Sequence, residues 1–298
     1  METVVIILFD GIGFASWLFM ISAGITFIFG VLRILNVAHG SIFALGAYMG
    51  AWLAAWFLGG HYPAWLSFPI LIVAALLVAV TIGPLIERVF LKRIYQEEEV
   101  IPLLTTFALF LVLEDVIKLV WGIEPRFVDK PFSLMGQVRL MGISYAGYPF
   151  LLTGIAFLCA LLLWLVINRT WFGRQVRSVI GDREISSAMG INVPRIDTFA
   201  FILGSFLAAL GGAFTAPMIS VEPGIGIDVI VLAFAVVGIG GLGSVGGAAL
   251  GCLLVGVARA AAVHLYPELE LFVIYALMIF VLILRPKGFF GGIEVRRI

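Results

Sequence analysis

Fifty-three consecutive residues, from Ile34 to Ile86, contain no Asp, Glu, Lys or Arg. As one helix that run would be about 80 Å long, whereas a bilayer core is about 30 Å thick. The run therefore folds back on itself, and its natural break is Gly59-Gly60-His61-Tyr62-Pro63. This predicts spans near 39–58 and 65–86. Only 12% of the 298 residues are charged and 62% are hydrophobic, with a mean hydropathy of +1.17. Soluble domains carry about 25% charged residues, so lipid is the solvent implied.

Further apolar runs cover 11–32, 100–121, 140–168, 198–221, 229–258 and 268–284. The run 229–258 is rich in glycine at its middle and reads as a discontinuous helix or two short crossings. The expected fold is an all-α polytopic membrane protein of about eight transmembrane helices, within a range of seven to nine, with discontinuous, Gly-rich segments. Residues 1–298 read as a single transmembrane domain with one long polar loop, 169–195, because no polar stretch, this loop included, is large enough for a soluble domain.

Orientation follows the distribution of basic residues. Arg33, the 87–99 loop, the 169–195 loop and the C-terminal tail together hold 13 of the 18 Lys and Arg. Placing them in the cytoplasm puts the N-terminus, with Met1-Glu2-Thr3, outside and the C-terminus inside. The N-terminal run lacks a basic leader and a small-residue cleavage site, so it reads as a first span.

Several chemistries are excluded. The net charge is zero, which argues against nucleic-acid binding. Cys159 and Cys252 lie inside apolar runs, and His39, His61 and His264 are scattered, so no metal site and no cofactor is expected. There is no phosphate-binding loop of the G-x-x-x-x-G-K-[ST] type, no Ser set in G-x-S-x-G and no pair of mid-span carboxylates, so the chain reads as a non-enzyme. Glu87-Arg88 reads as an interfacial ion pair, and Thr105 and Thr106 as hydroxyls bonded within their own helix.

Two features suggest a task. The first is Asn36-Val37-Ala38-His39-Gly40-Ser41, a polar interruption between two spans, paired with a second interruption at Gly240-Gly241-Leu242-Gly243-Ser244. Broken segments in a transporter mark where a solute passes, so Asn36, His39, Gly40, Ser41, Gly240, Gly241, Gly243 and Ser244 are candidate path residues. The alternative is that the glycines serve close helix packing and His39 is a packing residue. The second feature is the 169–195 loop, which reads as two short helices. Gly181 would end the first in a left-handed conformation, Asp182 would cap the second with Glu184 in its first turn, and Gly190 would stop it. Ile185, Ala188 and Met189 would share a face suited to docking on another protein, or the loop is simply a solvated basic stretch.

In this loop Gly173-Arg174-x-x-Arg177, Asp182-Arg183-Glu184 and Ala188-Met189-Gly190-Ile191-Asn192 resemble the permeases of branched-chain amino acid ABC transporters. The resemblance extends to Leu35–Ser41 with Leu45-Gly46-Ala47-Tyr48, to Gly240–Ser244, and to Arg285-Pro286-x-Gly288. It runs in order along essentially the whole chain, and the length is that of the smaller of two paired permeases. The run Leu91-Lys92-Arg93-Ile94-Tyr95-Gln96 departs from the family pattern. The resemblance implies an inner-membrane permease for branched-chain or related small amino acids. Its implied partners are a second permease, two cytoplasmic ATP-binding subunits and a periplasmic substrate-binding protein. Gly173, Arg174, Arg177, Gly181, Asp182, Glu184, Ile185, Ala188, Met189 and Gly190 would then form the ATPase-coupling element. The alternatives are a urea or short-chain amide permease, or a self-contained secondary transporter.

Overall fold

The structure is a computed structural model that describes residues 2–60, 62–95, 97–140 and 142–291. Met1, His61, Gln96 and the tail arginines Arg296 and Arg297, which entered the sequence reading, lie outside the described residues.

The long helices are α1 (Glu2–Leu32), α2 (His39–Gly59), α3 (Ser67–Leu85) and α4 (Val100–Trp121). A short α5 (Lys130–Leu134) and an antiparallel hairpin of β1 (Gln137–Leu140) and β2 (Ile143–Ala146) follow. The chain continues through α6 (Tyr148–Arg169), α7 (Trp171–Gly181), α8 (Arg183–Ala188) and α9 (Val193–Thr215). It closes with α10 (Ile225–Gly240), α11 (Val245–Leu265) and α12 (Glu270–Leu284). Eight helices are long and apolar enough to cross a membrane. The sequence run 229–258 resolves into α10, with 16 residues, and α11, with 21. At about 24 Å, α10 is too short to cross hydrocarbon alone.

Two predicted spans change. Residues 137–146 are charge-poor yet form the hairpin, turned at Gly142 with φ +84°, so α6 begins only at Tyr148. The predicted 198–221 helix starts earlier, at Val193 with Pro194 in its first turn, and ends at Thr215.

α9 is the hub, packed against α1, α2 and α3. These helices meet through small residues. A Cβ on Gly46 would fall 2.5 Å from the Ala209 Cα, and one on Gly212 would fall 2.9 Å from the Ala47 amide nitrogen. Lipid offers no hydrophobic drive between helices, so such backbone approach supplies the dispersion energy instead. Outward faces of α4, α6 and α12 carry exposed Leu111, Val112, Phe157, Phe280 and Ile283. These are the faces that suit acyl chains.

The two ends of the bundle differ. One gathers the end of α1, residues 86–95, α7, α8 and the 285–291 segment, and with them every described residue of the basic group predicted to share one side. The other gathers α5, the hairpin and the 216–224 connection, where Arg126 and Val221 form a two-way backbone bridge.

Gly212→Ala is expected to lower stability by about 2–3 kcal/mol, because the new methyl meets backbone that cannot rotate away. Thermal unfolding of the detergent-solubilised protein measures this.

Candidate functional site

The Asn36–Ser41 interruption begins where α1 ends. Arg33 takes φ 56°, the one positive φ at a non-glycine among the described residues, and turns the chain back into the bundle. Residues 33–38 then run without helical structure until α2 starts at His39. Buried irregular backbone needs partners, and α4 provides them. Val37 N–H donates to Thr106 Oγ1 at 3.2 Å, Thr106 Oγ1 donates to the Leu35 carbonyl at 3.2 Å, and Ser41 Oγ donates to the Phe110 carbonyl at 3.2 Å. Thr106 Oγ1 also lies 3.0 Å from the Leu103 carbonyl, so it bonds within its own helix as expected and reaches beyond it, whereas Thr105 bonds only within it, to the Ile101 carbonyl at 2.8 Å.

A second interruption meets the first from the other end of the bundle. After α9, residues 216–224 lead inward to Gly224, whose φ of +99° launches α10. Gly224 N–H donates to Glu114 Oε2 at 3.1 Å, so the α4 carboxylate closes the exposed start of α10. Gly40 and Gly226, in the first turns of α2 and α10, lie backbone to backbone. A Cβ on Gly226 would sit 3.0 Å from the Gly40 carbonyl oxygen and 2.6 Å from Glu114 Oε1. Two helix starts thus abut inside the bundle.

Glu114 stands at that junction, and Asn36 and His39 flank it in the chain on the α1 side. Asn36 and His39 are fully buried, and neither the Asn36 amide nor the His39 ring meets hydrogen-bond geometry with a partner. The His39 ring lies against the backbone of Ile21 and Gly24, and a Cβ on Gly24 would fall 2.8 Å from His39 Nε2. A buried amide left without a partner, as at Asn36, costs about 1–3 kcal/mol. Glu114, near the end of α4, meets Gly224 and Gly226 through its two oxygens.

The Gly240–Ser244 stretch does not join it. It lies at the far end of α10, about 21 Å along the axis from Gly226. There Gly241 adopts φ +100°, and Ser244 caps α11 by accepting from Gly247 N–H at 3.0 Å. Phe289 and Phe290 N–H donate to the Ile239 and Gly240 carbonyls, both at 2.9 Å, so the Arg285-Pro286-x-Gly288 region binds the end of α10. Gly243 packs near Gly30 at the end of α1.

The 169–195 loop forms both expected helices. Thr170 caps α7 through Gly173 N–H at 3.0 Å, and Asp182 caps α8 through Ile185 N–H at 2.9 Å, with Glu184 in the first turn. Gly190 carries φ +85° and ends α8. Gly173 packs on the Val166 and Ile167 carbonyls, and the Arg177 guanidinium donates to the Ile167 carbonyl, while Arg174 is exposed. Ile185 and Met189 are 63% and 78% exposed, and Ala188 is exposed beside them. One detail differs: Gly181 is helical and not left-handed, because Asp182 extends at φ −156° and makes the turn.

Glu87 is not part of an exposed ion pair with Arg88. It sits in a π-turn over 86–90, just after Pro84, which turns it inward until it is fully buried. Its oxygens accept from Tyr95 Oη at 2.9 Å and Thr198 Oγ1 at 2.8 Å. Burial, and then the Glu87 charge, push the Tyr95 phenol well above its usual range, so it remains a donor. Arg183 pairs with Asp197 at 2.6 Å in the same neighbourhood. The signal for Glu87 was the proline three residues earlier; nothing local announced Arg183.

Residues 7–282 match the family described as the permease component of the branched-chain amino acid transport system. The chain belongs to that family. It is 28% identical over 297 residues to the high-affinity branched-chain amino acid transport system permease protein LivH of Salmonella typhimurium, covering 98% of this chain and 96% of LivH. It is likewise 28% identical over 300 residues to BraD of Pseudomonas aeruginosa, a permease protein of the same description, covering 98% and 97%. The solved structure of PsaBC from Streptococcus pneumoniae in complex with Fab aligns with 93% of this permease and 91% of that chain, at 13% identity and a TM-score of 0.45.

Glu87→Ala removes the acceptor of the Tyr95 hydroxyl, whereas Thr198 Oγ1 keeps the Pro194 carbonyl at 3.0 Å, and is expected to cost the permease about 1–3 kcal/mol. A fall in midpoint temperature on thermal unfolding, reproduced less strongly by Glu87→Gln, is the measurement.

Proposed function

We propose that this permease is the membrane subunit of an ATP-driven importer for branched-chain or related small amino acids, with its solute path beside the α2–α10 junction. The carrying observation is the meeting of two helix starts, at Gly40 and Gly226, beside the Glu114 carboxylate. A zwitterion needs complementary charge at both ends. The start of α2 is a positive dipole end that suits a carboxylate, and Glu114 supplies a negative group that suits an ammonium. That pairing favours an amino acid over urea or a neutral amide. His39, Asn36, Gly40 and Ser41 line or gate the path in this reading. Gly240, Gly241, Gly243 and Ser244 serve at its inner end, beside the α1 terminus.

The permease works without an ATPase of its own. Exposed Ile185, Ala188 and Met189 on a capped, six-residue helix form a small apolar knob among arginines, suited to a groove on a cytoplasmic ATP-binding subunit. Gly173, Arg174, Arg177, Gly181, Asp182, Glu184 and Gly190 build the support for that knob. The assembly holds a second permease, two ATP-binding subunits and a periplasmic binding protein. It sits in the cytoplasmic (inner) membrane with the N-terminus outside and the C-terminus inside, all of 1–298 serving as one permease domain.

His39→Ala is expected to cut uptake of leucine in proteoliposomes of the full assembly about tenfold, equivalent to about 1.4 kcal/mol, at an unchanged amount of assembled complex. Unchanged uptake removes His39 from the path, and excess urea competing as well as valine removes the amino-acid assignment. Paired Ile185→Asp and Met189→Asp substitutions are expected to lose the ATP-binding subunits on purification while the two permeases stay together. Normal recovery of those subunits would falsify the docking role.

A further inference from the structure

Arg183 opens α8, but its guanidinium leaves the loop. Nη2 lies 2.6 Å from Asp197 Oδ2, and Nη1 donates to the Val31 carbonyl at 3.1 Å. Asp197 belongs to the first turns of α9 and Val31 to the last turn of α1, and both are buried. Beside them Thr198, the next residue of α9, ties to Glu87 at the end of α3. Among the described hydrogen bonds of the α8 side chains, Ser186 pairs with Ser178 of α7, while those of Arg183 reach the spanning helices. Val31 stands two residues before Arg33, where α1 gives way to the segment carrying Asn36.

We infer that Arg183 is a positioning residue that couples displacement of α8 to the inner end of α1 and thereby to the Asn36–His39 junction. This rests on α8 being the docking helix. A helix of six residues has little stability of its own, so its place relative to the bundle is set by such side-chain ties. A planar guanidinium holds two acceptors at once in fixed geometry, which a lysine ammonium does not reproduce. Separating it from Asp197 would strand a buried carboxylate, so the pair moves together instead of parting. A push on α8 is thus shared by α9, the hub of the bundle, and by α1, whose end sets the course of residues 33–38.

The test uses the complete assembly in proteoliposomes with ligand-loaded binding protein. Arg183→Ala is expected to lower the amino acid taken up per ATP hydrolysed by about tenfold. The apparent KM for the loaded binding protein should stay within about twofold, which a general loss of fold would not preserve. Arg183→Lys restores part of the ratio, and adding Asp197→Asn to Arg183→Ala changes it by less than about twofold, because the two act as one unit. A parental uptake-to-ATP ratio in Arg183→Ala overturns the inference. So does loss of the ATP-binding subunits from that variant, since Arg183 would then serve docking itself. Should Arg183→Ala fail to fold, so that the permease itself is not recovered from the membrane, Arg183→Gln reads the same ratio: a fall supports the coupling and a parental value overturns it. The Ile185 and Met189 substitutions test docking separately by co-purification, so failure of the docking reading is distinguishable from failure of the Arg183 tie.

Discussion

Backbone polarity is the constraint on which this permease depends. A helix that begins inside an apolar bundle exposes N–H groups that lipid cannot satisfy. Two helices, α2 and α10, begin that way: the first amides of α2 bond to the Asn36 and Val37 carbonyls, and α4 braces the segment before α2 and closes the start of α10. Along a single stretch of α4, Thr106, the Phe110 carbonyl and Glu114 meet Leu35, Val37, Ser41 and Gly224 in turn. Without that rail the interruptions would be costly defects, and with it they become a fixed polar seam in an otherwise greasy body. The seam also explains the glycines at its centre, since Gly40 and Gly226 approach too closely for side chains.

Much of this was legible in the sequence, and the reasons differ by element. Charge-free runs of about 20 residues announce spans because length and apolarity are the whole requirement in lipid. Caps are equally local, so Asp182, Gly190 and Pro194 could be read directly from their positions. The hairpin was hidden because residues 140–147 are as uncharged as a span, and only Gly142 and Gly147 hint at a turn. Glu87 was misread because an adjacent Arg88 offered an obvious partner, while the π-turn that rotates it inward is a property of the folded helix.

Long-range ties stay silent in sequence. Arg183 and Val31 are separated by 152 positions, and Glu114 and Gly224 by 110. No periodicity links such residues; the fold alone places them together. Both glycine-bearing interruptions break the helical course, yet pairing them with each other was a sequence-level economy that the fold declined. The partner of Asn36–Ser41 is the 216–226 region, and the partner of Gly240–Ser244 is the segment that follows α12.

That last contact has a consequence for biogenesis. The end of α10 is held by amides of Phe289 and Phe290, made about 50 residues later in synthesis. At about 5–20 residues per second, the carbonyls of Ile239 and Gly240 wait roughly 2.5–10 s for their donors. During that interval a helix too short to cross the bilayer by itself has one end unsecured. Fixing that end of α10 is therefore a late event, and a chain cut short after α12 would leave the Ile239 and Gly240 carbonyls without these donors.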